Sequence, residues 1–251
     1  KKGYEVVLKD ITADALTNAR KHCETQAKKS MRHLSQEDRD AVLGRIRFTL
    51  ENPDLSGCDL IIEAVVENDK VKYQVTQEVE PFMAEGGVFA SNTSAIPITH
   101  LAKASKDPSA FVGLHFFSPV EQMPLVEIIA GEASSEETIG RVVAFGRELG
   151  KIPILVNDGY GFYTSRTFAT YLMEAVQLVA EGHDPVLIEW AARTAGMVVP
   201  PLKVFDEVTL RLGLHGLVQR EQYTGEKLDA PGIRLLKRMV DEFGRIGKVE
   251  G

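Results

Sequence analysis

The sequence predicts an α/β fold, a doubly wound sheet in its first part, followed by an all-helical region. Three observations carry that prediction. Short apolar runs alternate with longer stretches of helical spacing through residue 157, an alternation that builds a sheet with helices on its faces. After Asn157 the periodic stretches are all helical and no convincing strand remains. Polar residues gather at the ends of the apolar runs, where an open parallel sheet binds its ligands.

Taken in order, Glu5–Lys9 (EVVLK) reads as a strand closed by Asp10, and Asp14 to Lys29 as a helix with Thr12 as its N-cap. Asp59–Val65 (DLIIEAV) is a strand of the buried type, followed by a helix from Asp69. Gly87–Ser91 (GVFAS) and Phe111–Phe117 (FVGLHFF) are two further strands, separated by a short helical stretch. Leu125–Ile129 and Ile152–Val156 read as strands flanking a helix over Glu136–Leu149. The sheet is expected to be parallel at least in its first part. Phe162–Glu181, Pro185–Ala195, Val204–Gln219 and Ile233–Phe243 carry helical spacing, with Pro200-Pro201 read as a loop between helices. This gives a first domain over residues 1–157 and a second, helical one over 158–251, with the change near Asp158–Gly161.

Composition excludes several classes. Hydrophobic residues make up 44% and charged residues 26% of the chain, enough for a real core. The formal net charge is −7 and no dense Lys/Arg stripe exists, which argues against nucleic acid as a partner. A phosphorylated ligand remains compatible, because helix N-termini and single lysines suffice to hold one. Cys23 and Cys58 have neither metal-ligand spacing nor a disulfide framework, which points to a reducing compartment. No apolar run approaches the roughly 20 residues needed to span a bilayer. The opening Lys-Lys-Gly-Tyr-Glu is not a signal peptide and carries no initiating Met.

Three places can carry chemistry. Asp10, an acid at a strand end before a helix, stands either as a helix-capping residue or as the carboxylate that bonds an adenosine ribose in a dinucleotide fold. Ser91-Asn92-Thr93-Ser94 follows an apolar strand directly, and its hydroxyls either cap the next helix or bond a ligand oxygen. His115 lies inside an apolar strand, and Glu127 follows twelve residues later in another, MPLVEII. A buried carboxylate needs a partner, and a neighbouring imidazole provides one. Such a pair fixes the tautomer and raises the basicity of the ring, as a general base requires. His22, His33, His100, His183 and His215 lack this setting and read as surface or packing residues.

The strings IIEAVVEN-x-x-VK, FASNTS, GLHFFSPV, MPLVEII and GFYTSR occur here in that order and spacing. In this the chain resembles the NAD-dependent L-3-hydroxyacyl-CoA dehydrogenases over nearly its whole length, and QMPLVEIIAGEASSEETI is worded most like the multifunctional β-oxidation enzymes. The resemblance implies a Rossmann-type NAD-binding domain and a helical domain that closes over an acyl-CoA and dimerises. It implies oxidation of (S)-3-hydroxyacyl-CoA to 3-oxoacyl-CoA, by a homodimer or a subunit of a β-oxidation complex, in a bacterial cytoplasm or an organelle matrix. Asp10 then holds the ribose, and Glu67 and Lys72 match cofactor-contacting positions. Ser94 matches the residue that bonds the substrate 3-oxygen near the nicotinamide, His115 the base and Glu127 its orienting carboxylate. Ser118 stands beside the cofactor where relatives have Asn. Ser165 likewise replaces an Asn that contacts substrate, Tyr160 replaces a Pro, and Pro200 a Gly. A stand-alone 3-hydroxybutyryl-CoA dehydrogenase and a non-catalytic structural relative are the alternatives; the presence of Ser94, His115 and Glu127 argues against the second.

The resemblance also implies that the glycine loop and first strand of the dinucleotide fold are missing, because only nine residues precede Asp10. In the doubly wound order that strand separates the one ending at Asp10 from the one starting at Asp59. Gly244–Gly251 stops where the family continues into a further strand. The chain is therefore expected to be a piece of a longer protein, which alone binds NAD very weakly or aggregates.

Overall fold

The computed structural model describes residues 2–248, and the end of the expected C-terminal stop, Val249–Gly251, lies outside the described residues. Contacts divide the chain into two compact units. One holds the residues up to Thr93 together with Ile98–Asp158; the other holds Ser94–Pro97 and the residues from Gly159 onward.

The first unit is the expected α/β fold. Strand β1 (Val6–Lys9) leads into helix α1 (Ala13–Ser30), which Thr12 caps by accepting the Ala15 N–H. Helix α2 (Gln36–Leu43) and strand β2 (Ile46–Thr49) follow, and β2 pairs with β1 in parallel. Strands β3 (Cys58–Glu63), β4 (Met83–Ser91), β5 (Phe111–Phe116), β6 (Leu125–Ala130) and β7 (Ile152–Asn157) form a second sheet in that order. Its neighbours run parallel except β5 and β6, which are antiparallel. Helix α3 (Asp69–Val79) connects β3 to β4, the short α4 (Ile98–Leu101) precedes β5, and α5 (Glu136–Glu148) connects β6 to β7. β1 and β3 share no ladder, so the break between the sheets falls where the doubly wound order calls for an intervening strand.

Strands buried on both faces need apolar side chains in both directions, and β5 and β6 supply them. Val112, Leu114, Val126 and Ile128 pack with Val88, Ala90 and Val142 on the α5 side. Alternation therefore sends Phe111, Gly113 and His115 of β5 to the opposite face. Gly113 is required there by close approach: a Cβ on it would lie 2.8 Å from Ile98 and from Ile129.

The second unit is helical: α6 (Thr164–Ala180), α7 (Pro185–Thr194), α8 (Pro201–Val208), α9 (Leu210–Thr224) and α10 (Pro231–Lys237), followed by a π-helical turn, Arg238–Glu242. Leu172, Val176, Phe205 and Leu236 form its core.

Three local expectations are corrected. Pro201 is not in a loop but opens α8 at the first helical position, where its missing N–H costs nothing. The stretch Val204–Gln219 is not one helix but two, broken at Thr209, whose φ is 74° and whose hydroxyl caps α9 through the Leu212 N–H. Residues 31–57, which carried no expected element, contain α2 and β2. Their signal was local: Ser35 caps α2 by accepting the Asp38 N–H, three residues on.

Candidate active site

His115 and Glu127 face each other directly across the antiparallel β5–β6 ladder. Glu127 is fully buried and His115 is 7% exposed, and His115 Nδ1 lies 2.8 Å from Glu127 Oε2. An ionised carboxylate only accepts, so in this pair Nδ1 is the donor, and in a neutral ring the lone pair then falls on Nε2. The imidazole ring also rests against Phe117, with centroids 4.6 Å apart. This arrangement holds one tautomer of a nearly dry imidazole, as proton abstraction demands.

A second polar cluster joins the ends of β3 and β4. Lys72 on α3 is 1% exposed, and its Nζ lies 3.0 and 3.1 Å from the two oxygens of Glu63 and 3.4 Å from Glu67 Oε2. Glu63 also accepts the Val65 N–H at 3.2 Å and the Ser91 hydroxyl. The Thr93 hydroxyl donates to Glu67 Oε1 at 2.6 Å. Glu67 keeps 27% of its side chain exposed. Lys72 therefore pairs with the buried Glu63 and lies within ion-pair distance of Glu67 as well.

Asp10 extends the β1–β2 ladder by donating its N–H to Thr49 O, and its carboxylate accepts the Ile11 N–H at 2.6 Å. It is only partly buried. The partly exposed carboxylates of Asp10, at the end of β1, and of Glu67, in the loop after β3, are acceptors suited to ribose hydroxyls, so these side chains fit a dinucleotide. Ser118 is exposed just beyond β5. In the helical unit, Ser94 is exposed and its backbone oxygen accepts the Ser165 hydroxyl at 3.0 Å. Two positions singled out from the sequence are thus bonded to each other.

Sequence reasoning missed Glu63 and Asp158, and within the Ser91–Ser94 stretch it gave Asn92 and Thr93 no role of their own. The Glu63 signal was available, since an acid closing the apolar run DLIIE is as unusual as Glu127 in its own strand. Asp158 accepts the Ile98 and Thr99 N–H groups at 2.8 and 2.7 Å. It thereby fixes α4, whose Ile98 packs over Gly113, two residues from His115.

A family model described as "3-hydroxyacyl-CoA dehydrogenase, NAD binding domain" matches residues 1–159, and one described as "3-hydroxyacyl-CoA dehydrogenase, C-terminal domain" matches 161–251. The chain belongs to the 3-hydroxyacyl-CoA dehydrogenase family. Within that family it is 40% identical over 248 residues to the fatty acid oxidation complex subunit alpha of Shewanella amazonensis, covering 98% of this chain and 35% of that protein. The chain spans about a third of the length of the curated relatives it matches. Among solved 3-hydroxybutyryl-CoA dehydrogenases, that of Escherichia coli K12 superposes with a TM-score of 0.91 at 28% identity, covering 100% of this chain and 54% of that one. The (S)-3-hydroxybutyryl-CoA dehydrogenase of Ralstonia eutropha gives 0.88 at 30% identity, covering 100% and 89%. These comparisons agree with the resemblance read from the five strings.

Proposed function

We propose that the protein oxidises (S)-3-hydroxyacyl-CoA to 3-oxoacyl-CoA with NAD, as one activity of a longer fatty-acid β-oxidation enzyme. The observation that carries this reading is the buried His115–Glu127 pair, 2.8 Å apart. Bound NAD supplies the hydride acceptor. His115 Nε2 takes the proton of the 3-hydroxyl while the C3 hydrogen leaves as hydride and the carbonyl forms. Glu127 keeps Nδ1–H in place and stabilises the imidazolium that results. The charge developing on the ring is met by a carboxylate already oriented, so no rearrangement accompanies the step.

On the cofactor side we assign Asp10 to the adenosine ribose. Glu67 and Lys72, 3.4 Å apart, are assigned to further cofactor contacts, as is Ser118. Ser94 is assigned to the substrate 3-oxygen and Ser165 to the acyl-CoA. Ser165 reaches less far than the Asn that the resemblance puts at this position, and its hydroxyl also bonds Ser94 O, which steadies the Ser94 backbone. Residues 1–157 form the cofactor-binding region and 158–251 the substrate and assembly region.

Assembly, as a homodimer or as a subunit of a β-oxidation complex, is supported by apolar exposure on and beyond α7. Val186 is 75% exposed, Trp190 62% and Val198 92%. We place the activity in a bacterial cytoplasm, which the relatives' organisms support; no helix among the described residues is long and apolar enough to cross a membrane.

A second reading, a stand-alone short-chain 3-hydroxybutyryl-CoA dehydrogenase, is favoured by the two solved enzymes of that name that cover the whole chain. Assaying the intact protein with C4 to C16 (S)-3-hydroxyacyl-CoA substrates and NAD separates the two. Activity across chain lengths supports the β-oxidation reading, activity on C4 alone supports the second, and no NADH from any substrate contradicts both.

A further inference from the structure

The β4–β5 ladder pairs Phe89 with Phe111, Ala90 with Val112 and Ser91 with Gly113, and ends there. The β5–β6 ladder continues through His115 and Phe116. The last residues of β5, His115 among them, thus have a strand neighbour on the β6 side only. On the β4 side the Phe116 N–H finds a side chain instead, donating to Asn92 Oδ1 at 2.8 Å.

Asn92 is itself held firmly. Its own N–H donates to Glu63 O at 2.8 Å, which carries the β3–β4 ladder one residue further. Its two neighbours are tied down as well, Ser91 to Glu63 and Thr93 to Glu67. The Asn92 amide therefore extends the hydrogen bonding of the sheet to β5 beyond the point where β4 leaves it.

We propose that Asn92 is a positioning residue for His115, an inference that rests on the catalytic role assigned to that histidine. Glu127 fixes the imidazole from its Nδ1 side, and Asn92 fixes the peptide that follows the histidine. The same bond sets where Phe117, one residue further, meets the imidazole ring. Without the Asn92 oxygen the Phe116 N–H has no acceptor on that side, and the end of β5 hangs from β6 alone. An imidazole displaced by about 1 Å loses on the order of 100-fold in rate, so a backbone bond one residue away matters to the chemistry.

The test is a double-mutant cycle in the intact protein, with Asn92→Leu, Asn92→Asp, His115→Gln and Asn92→Leu/His115→Gln. Leu keeps the volume of Asn without the acceptor, and Asp restores the acceptor oxygen. The proposal expects Asn92→Leu to lower kcat by about 10- to 100-fold, with the KM for NAD within about twofold of wild type and a larger primary deuterium isotope effect at C3. Asn92→Asp should recover most of that kcat, and Asn92→Leu should cost nothing further in the His115→Gln background. Additive losses, or a kcat within twofold of wild type for Asn92→Leu, overturn the proposal. If Asn92→Leu folds poorly, its residual activity falls equally in both backgrounds, which is the additive result. A wild-type protein without turnover contradicts the proposed function itself, whereas wild-type turnover with additive losses removes only the role of Asn92.

Discussion

The ammonium of Lys72 and the carboxylate of Glu63 meet at 3.0 and 3.1 Å with both side chains only 2% exposed. Burying two charges is costly, and leaving one of them alone is costlier. Removing the cation leaves the buried Glu63 without its counter-ion, with Ser91 and Val65 as donors and the Glu67 carboxylate nearby.

Lys72→Met should therefore destabilise the protein by about 3–5 kcal/mol. Adding Glu63→Gln to Lys72→Met should return a good part of that loss, because the stranded charge is gone. Urea unfolding of the two single variants and the double variant measures it. Purely additive losses would show that the two residues do not act as a pair.

Gly113 sits where a methyl group would lie 2.8 Å from Ile98 and from Ile129. Gly113→Ala should cost about 1–3 kcal/mol by overpacking and should also slow turnover, since His115 lies two residues along the same strand. Thermal unfolding together with kcat checks this. An unchanged Tm would mean that α4 moves aside at no cost.

Cys23, on α1, has its thiol pushed above the ordinary range, chiefly by burial. Less thiolate at neutral pH means slower alkylation. Iodoacetamide labelling followed by mass spectrometry should find Cys23 reacting more slowly than free cysteine at pH 7.5, with the gap closing as pH rises. Labelling as fast as free cysteine at that pH would contradict the burial.

Asp10 should set the choice of cofactor. Its carboxylate suits the ribose hydroxyls of NAD and repels the extra phosphate of NADP, and Ile11-Thr12-Ala13 provide no Arg to offset that. A like-charge encounter of this kind is worth several kcal/mol, so kcat/KM for NAD should exceed that for NADP by on the order of 100-fold. Asp10→Asn should narrow the gap, and equal use of both cofactors by the unaltered enzyme would refute the assignment.

Much of this was legible in the sequence, for identifiable reasons. Glu127 was conspicuous because a carboxylate inside MPLVEII must be paired, and the nearest candidate in an apolar strand was His115. The strands of the larger sheet announced themselves by their apolar runs. The elements of residues 31–57 did not, because α2 buries none of its residues and β2 spans only Ile46–Thr49. The bond that Asn92 makes was hidden for another reason. The side chain bonds a backbone N–H twenty-four residues away, and nothing in local composition marks such a partner. Thr209 escaped because helical periodicity continues across it while the backbone turns to positive φ.

The central claim is that the buried pair of His115 and Glu127 removes the proton in a 3-hydroxyacyl-CoA dehydrogenation. The direct test is NADH formation by the intact protein with (S)-3-hydroxyacyl-CoA, comparing wild type, His115→Gln and Glu127→Gln. Each variant should lower kcat by about 10²–10⁴-fold while leaving the Kd for NAD nearly unchanged. Either variant retaining more than half of the wild-type kcat would contradict the account.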